Sequence, residues 1–324
     1  MKTPKSIFAV FVGIAAFSVP ALASNAQPSA MEILKTGKVS DAIRTLNNQV
    51  AADPKNARAY ADLCRVYSSI EDFDNAIRNC QRATQLEPNV SNYHLWLGRA
   101  YGDKADNSGP LSAIGWAKKT VAEFERAVQL DPRNVAARSD LTEFYREAPG
   151  LVGGDTDKAH RIVTDTADID PAAASLLRAQ FALKAKDYRR AEAEAQLAVQ
   201  QSGGTAQYIL EVARIYAKQK HWTDFENTVQ RALESQKKRP IDEFNAADLL
   251  VSNGRNLDGA IELLRQYLAG PMDEEGPAFR AHFLMGRAYE KLGKKSDAAR
   301  EYGAALDLAG NFRSAQNALR RVRG

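Results

Sequence analysis

The stretch Leu97-Gly98-Arg99-Ala100-Tyr101 decides the fold, because it returns along the chain. Leu63-Cys64-Arg65-Val66-Tyr67 precedes it by 34 residues, and Val212-Ala213-Arg214-Ile215-Tyr216 and Met285-Gly286-Arg287-Ala288-Tyr289 follow. Ala42 and Pro54 recur as Ala76 and Pro88 at the same interval, which fixes the period at 34. Downstream of each Tyr, a second set of small or aromatic residues recurs at offsets of four and seven: Ala76/Cys80/Ala83, Thr120/Phe124/Ala127, Phe225/Val229/Ala232 and Ala298/Tyr302/Ala305. Those offsets share one helical face. Several units then close on Asp/Glu-Pro, at Asp53-Pro54, Glu87-Pro88, Asp131-Pro132 and Asp170-Pro171, where proline cannot continue the preceding helix. Each unit therefore reads as a helix hairpin.

Gly, Ala or Cys lets two helix backbones approach, while the aromatic positions fill the space towards the next unit. One hairpin cannot bury its apolar face alone, so the units must stack. At this point the residues resemble the tetratricopeptide repeat family, closely in the second, third, sixth and eighth units and more loosely in the first, fifth and seventh. The resemblance implies an all-α, right-handed superhelical solenoid of about eight tetratricopeptide-like helix hairpins with a C-terminal capping helix. Residues 27–310 form the array and 311–324 the cap. The match spans about residues 28–308, leaving no stretch for a catalytic domain, so the expectation is a binding protein and no enzyme.

Residues 1–26 read as a secretory leader and short linker. Lys2 and Lys5 start it, Ile7 to Val19 is an apolar run ended by Pro20, and Ala21-Leu22-Ala23 offers a small-residue cleavage site. The run is short of the roughly 20 residues that span a bilayer, and no later segment is apolar enough to do so. The expected location is outside the cytoplasm, in the periplasm. Formal net charge is +4, from 44 Lys+Arg against 40 Asp+Glu, which is no nucleic-acid signature.

Two units carry insertions. Pro88 to Pro132 is ten residues over period, with the excess at 102–110 and the start of the next helix, and Pro132 to Pro171 is five over, with the excess at 148–155. Pro110 suits the first turn of the next helix, with Ser108 or Asn107 as its cap and about two extra turns in its length. Both insertions fall at the turn inside a hairpin, along one edge of the solenoid. They are tolerated surface loops or a binding wall, in which Asp103, Lys104, Asp106, Pro149 and Leu151 are the candidate residues. The Gly150–Gly154 run lacks the Lys-Ser/Thr ending and preceding strand of a phosphate loop.

Arg65, Arg99, Arg214 and Arg287 stand two residues before the marker Tyr, where the family resemblance faces the concave groove. Such a row suits a peptide that is acidic or ends in a free carboxylate, since guanidinium grips carboxylates through two parallel hydrogen bonds. The same arginines are also suited to local ion pairs. Trp96 is either a groove anchor or a packing residue. Cys64 and Cys80 lie on consecutive helices of one hairpin, about one turn from the closest register, so a disulfide and two small buried thiols both stand as readings.

The four histidines are scattered and form no zinc-type cluster, and no nucleophile elbow or triad spacing occurs. No metal or cofactor is expected. The leading expectation is a protein or peptide-binding scaffold of the cell envelope. A periplasmic chaperone or carrier for exported substrates is the second reading, and a glycan- or peptide-processing enzyme using the loop-walled pocket the third. The sequence does not speak to oligomeric state.

Overall fold

A computed structural model describes residues 28–324, so the leader at 1–26 lies outside the described residues. Those residues form seventeen α-helices and one short 3-10 turn. Eight consecutive hairpins run α1 (Ala30–Lys35)/α2 (Val39–Ala52), α3 (Ala57–Ser69)/α4 (Phe73–Leu86), α5 (Ser91–Asp106)/α6 (Pro110–Leu130) and α7 (Val135–Glu147)/α8 (Thr156–Ala167), then α9 (Pro171–Lys184)/α10 (Tyr188–Gln201), α11 (Ala206–Gln219)/α12 (Trp222–Leu233), α13 (Pro240–Asn253)/α14 (Leu257–Ala269) and α15 (Ala278–Lys291)/α16 (Lys295–Leu308). The cap is α17 (Arg313–Arg323), whose Ala315 and Ala318 are buried. Side-chain oxygens begin many of these helices. Asn56, Asp72, Asn134, Asp155, Asp170 and Asp187 each accept a hydrogen bond from the backbone N–H three residues on.

Within a hairpin the helices touch at one recurring pair. A Cβ at Gly98 would stand 2.5 Å from the Phe124 ring, and one at Gly286 2.5 Å from the Tyr302 ring, so both glycines are required by close approach. Cys64 and Cys80 occupy the corresponding places in the second unit and form a disulfide, with Cα atoms 5.2 Å apart. The expected one-turn offset is absent, because the sixteen residues from Cys64 to Cys80 are the same spacing that brings Gly286 against Tyr302.

Between hairpins the marker tyrosines Tyr101, Tyr216 and Tyr289, and Tyr145 near the end of α7 in the fourth unit, reach back one unit. Tyr101 Oη accepts from Gln81 Nε2 at 2.9 Å, Tyr145 donates to Glu125, Tyr216 donates to Glu192 at 2.5 Å, and Tyr289 Oη accepts from Arg265 at 2.8 Å. Each bond joins a first helix to the second helix of the preceding unit, which sets the stacking step.

The first insertion lengthens α6 to 21 residues, against 12 to 14 for the other second helices. Pro110 takes its first position, as expected, but neither Asn107 nor Ser108 caps it. Asn107 Nδ2 donates to the Asp103 carbonyl and Ser108 Oγ to the Lys104 carbonyl, so both residues close α5, and Gly109 begins α6. A hydroxyl that bonds four residues back is unavailable to the helix ahead.

The stack closes on itself. Met31, Leu34 and Leu46 of the first unit share one core with Phe279, Ala305, Phe312 and Ala315 of the last unit and the cap. Phe312 sits edge-on to Phe279 at 5.2 Å and to Phe283 at 5.1 Å. Gly37, at φ 81°, lies so close that a Cβ there would stand 3.1 Å from the Phe279 backbone nitrogen. Two helix ends are capped across the seam. Arg280 donates through Nε and Nη2 to the Ser69 carbonyl at 3.3 and 3.2 Å, meeting the C-terminal end of α3. Glu71 accepts from the Ser314 backbone N–H at 3.0 Å and its hydroxyl at 2.7 Å, at the N-terminal end of α17. Glu71 itself holds φ 65°, a conformation that Gly293 adopts at the same turn of the eighth unit.

Replacing Glu71 with glycine keeps that turn unstrained and removes only the seam contact. Glu71→Gly is expected to lower stability by about 1 kcal/mol and to raise the radius of gyration in small-angle scattering. An unchanged radius and stability would show that the polar seam contributes nothing to closure. Separately, Cys64→Ala/Cys80→Ala is expected to lose about 3 kcal/mol in denaturant titration, the loop-closure value for a loop of this size.

Candidate functional site

The first helices of the units line the inner side of the closed array, and the four marker arginines point there already matched with acids. Arg65 pairs with Glu274, from the turn before α15, and lies 3.9 Å from Asp62. Arg99 Nε donates to Asp140 Oδ2 at 2.6 Å, Arg214 Nε to Glu211 Oε1 at 3.2 Å, and Arg287 is 3.6 Å from Asp248. Trp96 is clasped between the Arg65 and Arg99 guanidiniums, 4.9 and 4.8 Å from its ring centroid. Every guanidinium expected to grip a partner's carboxylate is thus engaged by a carboxylate of this chain. The ladder Glu274, Arg65, Trp96, Arg99, Asp140 ties α3, α5 and α7 to the seam.

Further round, a hollow of about 800 Å³ is lined by charges of both signs, among them Glu143, Arg146, Lys184, Glu211, Arg214 and Asp248. Burial raises the Glu211 carboxyl above its ordinary range, against the pull of Arg214. Desolvation likewise lowers Arg280, which feels Glu71, Asp103 and Asp248 from three different parts of the chain. The inner side is a polar, largely self-compensated surface.

A second cavity, of about 650 Å³, has a different character. It lies between the two inserted segments. Ala113, Ile114 and Ala117 of α6 form one wall, Phe144 and Pro149 the other, and Phe124 the base. The turn after α7 is held by the Asp155 N–H donating to the Tyr145 carbonyl at 2.9 Å and the Gly154 N–H to the Pro149 carbonyl at 3.1 Å. Of the candidate wall residues, Asp103, Asp106 and Pro149 line this cavity. Lys104 instead bonds Asp74 of α4 at 2.8 Å, and Leu151 stands on the turn beside the cavity with 72% of its surface exposed. Sequence reasoning passed over Leu111, which is 89% exposed at the start of α6. Its signal was a large apolar residue inside an insertion, where no repeat position demands one.

Asp103 reaches solvent yet has protein on several sides, since Arg280 of α15, Glu71 of the seam, and Arg99 and Asp106 of its own helix all face it. Desolvation, the largest influence, raises its carboxyl from 3.8 to about 6, with Arg280 opposing and Asp106 assisting. Among the described residues no helix is long and apolar enough to cross a membrane.

Tetratricopeptide repeat models match residues 57–90 and 244–309. Over 138 residues the chain is 24% identical to the small glutamine-rich tetratricopeptide repeat-containing protein of Dictyostelium discoideum, covering 43% of this chain and 38% of that protein. The chain therefore spans well under half the length of this curated relative. Among solved structures it is similar to a thermophilic TPR protein of Thermus thermophilus, at 15% identity and TM-score 0.48, over 57% of this chain and 94% of that one. It is also similar to yeast Tom70, at 11% identity and TM-score 0.49, over 91% and 86%.

A carbon-detected NMR titration is expected to place the Asp103 midpoint at about 6. Because its folded value lies above the unfolded one, its contribution to stability is full below about 4 and is lost as pH rises through about 6. Asp106→Asn removes a like charge and is expected to lower the midpoint; a midpoint near 4 in the unaltered chain would mean that the carboxyl is freely solvated.

Proposed function

Because the chain belongs to the tetratricopeptide repeat family, we propose that it is a non-catalytic interaction scaffold of the cell envelope that docks a protein partner at the cavity between its two inserted segments. The observation that carries this reading is the contrast between two surfaces. The inner arginines, Arg99 at the cavity's own rim among them, are matched by the chain's own carboxylates, whereas the cavity exposes apolar walls that no described residue covers. Binding energy concentrates where apolar anchors fill a pocket, and salt-bridged surface charges add little.

Placement outside the cytoplasm is supported by the leader-type residues 1–26 and by the Cys64–Cys80 disulfide, a bond that persists in oxidising compartments. The expectation of an acidic or carboxylate-ended ligand loses its basis on the inner face, where no marker arginine is unmatched. Docking at the edge leaves the closed ring intact, so the partner need not open it.

A photo-crosslinking residue in place of Leu151, Leu111 or Arg214, expressed in the native background, tests this. The first two positions are expected to capture the same dominant protein and the Arg214 position to capture little. Capture confined to Arg214 would move docking to the inner face, and a broad spread of captured proteins at Leu151 would point to a chaperone.

A further inference from the structure

We propose that the cavity between the two inserted segments recognises a partner segment carrying a large apolar side chain beside a lysine or arginine. This deepens the docking reading above and rests on it.

The apolar half of the argument comes from shape and exposure. A cavity of about 650 Å³ walled by Ile114, Ala117, Phe144 and Pro149 has room for one or two bulky side chains. Among the described residues three large hydrophobic side chains stand exposed, and the two most exposed are Leu111 at 89% and Leu151 at 72%. Both belong to the inserted segments. Neither lines the cavity itself, but Leu111 stands three residues before the lining Ile114 and Leu151 adjoins the lining Val152. Folding gains nothing from leaving them in water, and exposed apolar side chains flanking an apolar hollow mark a surface that another molecule covers.

The charged half comes from which ions are already spent. At the rim Arg99 is committed to Asp140, and Glu147 to Arg146 and Lys184. Asp103, Asp106 and Glu143 line the same cavity, are exposed, and form no ion pair among the described residues, although Arg280 of α15 faces Asp103 from beyond ion-pair distance. Of the two lysines of α6, Lys119 is turned onto the rings of Trp116 and Tyr101, and Lys118 is exposed outside the cavity lining. The rim therefore presents negative charge around an apolar floor, which complements a cationic residue next to an apolar one. An anionic lipid surface would meet the same carboxylates and be repelled, so the exposed leucines favour a peptide over a membrane.

Selection of a random peptide library displayed on phage against the disulfide-bonded chain tests the chemistry directly. The unaltered chain is expected to enrich peptides with an apolar residue next to Lys or Arg. The resulting consensus peptide, labelled with fluorescein, is expected to bind about tenfold more weakly to Ile114→Gln/Leu151→Gln. Asp103→Lys/Asp106→Lys is expected to switch the enriched flank from basic to acidic. All of these side chains lie at the surface or half-buried, so each variant is expected to keep the helical circular dichroism of the unaltered chain, which is checked before binding is read. Enrichment of acidic or uncharged flanks, enrichment unaffected by Ile114→Gln/Leu151→Gln, or no enrichment would each overturn the proposal, as would flotation of the chain with phosphatidylglycerol vesicles. Crosslinks at Leu151 to a single protein alongside a library result of this kind would overturn the chemistry and leave the docking site standing. Loss of both would remove the docking reading as well.

Discussion

The close approach of two helices at a single small-against-large pair sets everything else in this molecule. Where Gly98 meets Phe124 and Gly286 meets Tyr302, a Cβ has no room, so the helices cross at one register and no other. Packing at crystal-like density penalises even one added methylene at such points, typically by about 1 to 3 kcal/mol. That fixed crossing aims the marker tyrosines at the preceding unit, and the accumulated steps bring the eighth unit round to the first. In the second unit the same pair is replaced by a covalent bond between Cys64 and Cys80. The disulfide and the glycine–aromatic contact are two solutions to one geometric demand.

The repeat was legible because it is local: helix periodicity, small residues at fixed offsets and Asp/Glu-Pro breaks all act within one unit. Eight hairpins and a cap follow from it. The disulfide was legible in principle, since sixteen residues separate Gly286 and Tyr302 as well as Cys64 and Cys80, but helix-turn counting on the cysteines alone hid the equivalence. Ser108 misled because a Ser before a Pro reads as a cap whichever helix its hydroxyl serves. Closure was invisible. It depends on the accumulated angle of the successive stacking steps, and small angular differences per unit decide between a ring and an open spiral.

The candidate site divides along the same line. That the two insertions lie at adjacent hairpin turns could be read from spacing, and Asp103, Asp106 and Pro149 do face one cavity. Arg214 meets Glu211 three residues away, as a local ion pair would, but the fate of Arg65, Arg99 and Arg287 could not be read, because their main partners come from elsewhere in the chain. Glu274 lies 209 residues from Arg65, and Asp140 lies 41 from Arg99. A row of like charges in a sequence states nothing about its counter-charges until the chain is folded.

Closure of the array bears on how copies of this protein meet one another. A stack of identical-handed units has two unlike ends, each with an apolar face made for a neighbour, and ends of that kind join head to tail into filaments unless something blocks them. Terminal polar caps are one block. Here Phe279, Phe312 and Leu34 bury the two ends against each other, so the surface on which a fibre would grow is consumed inside the monomer. The seam thereby doubles as a guard against self-polymerisation, and a chain whose seam fails would be exposed at both ends at once.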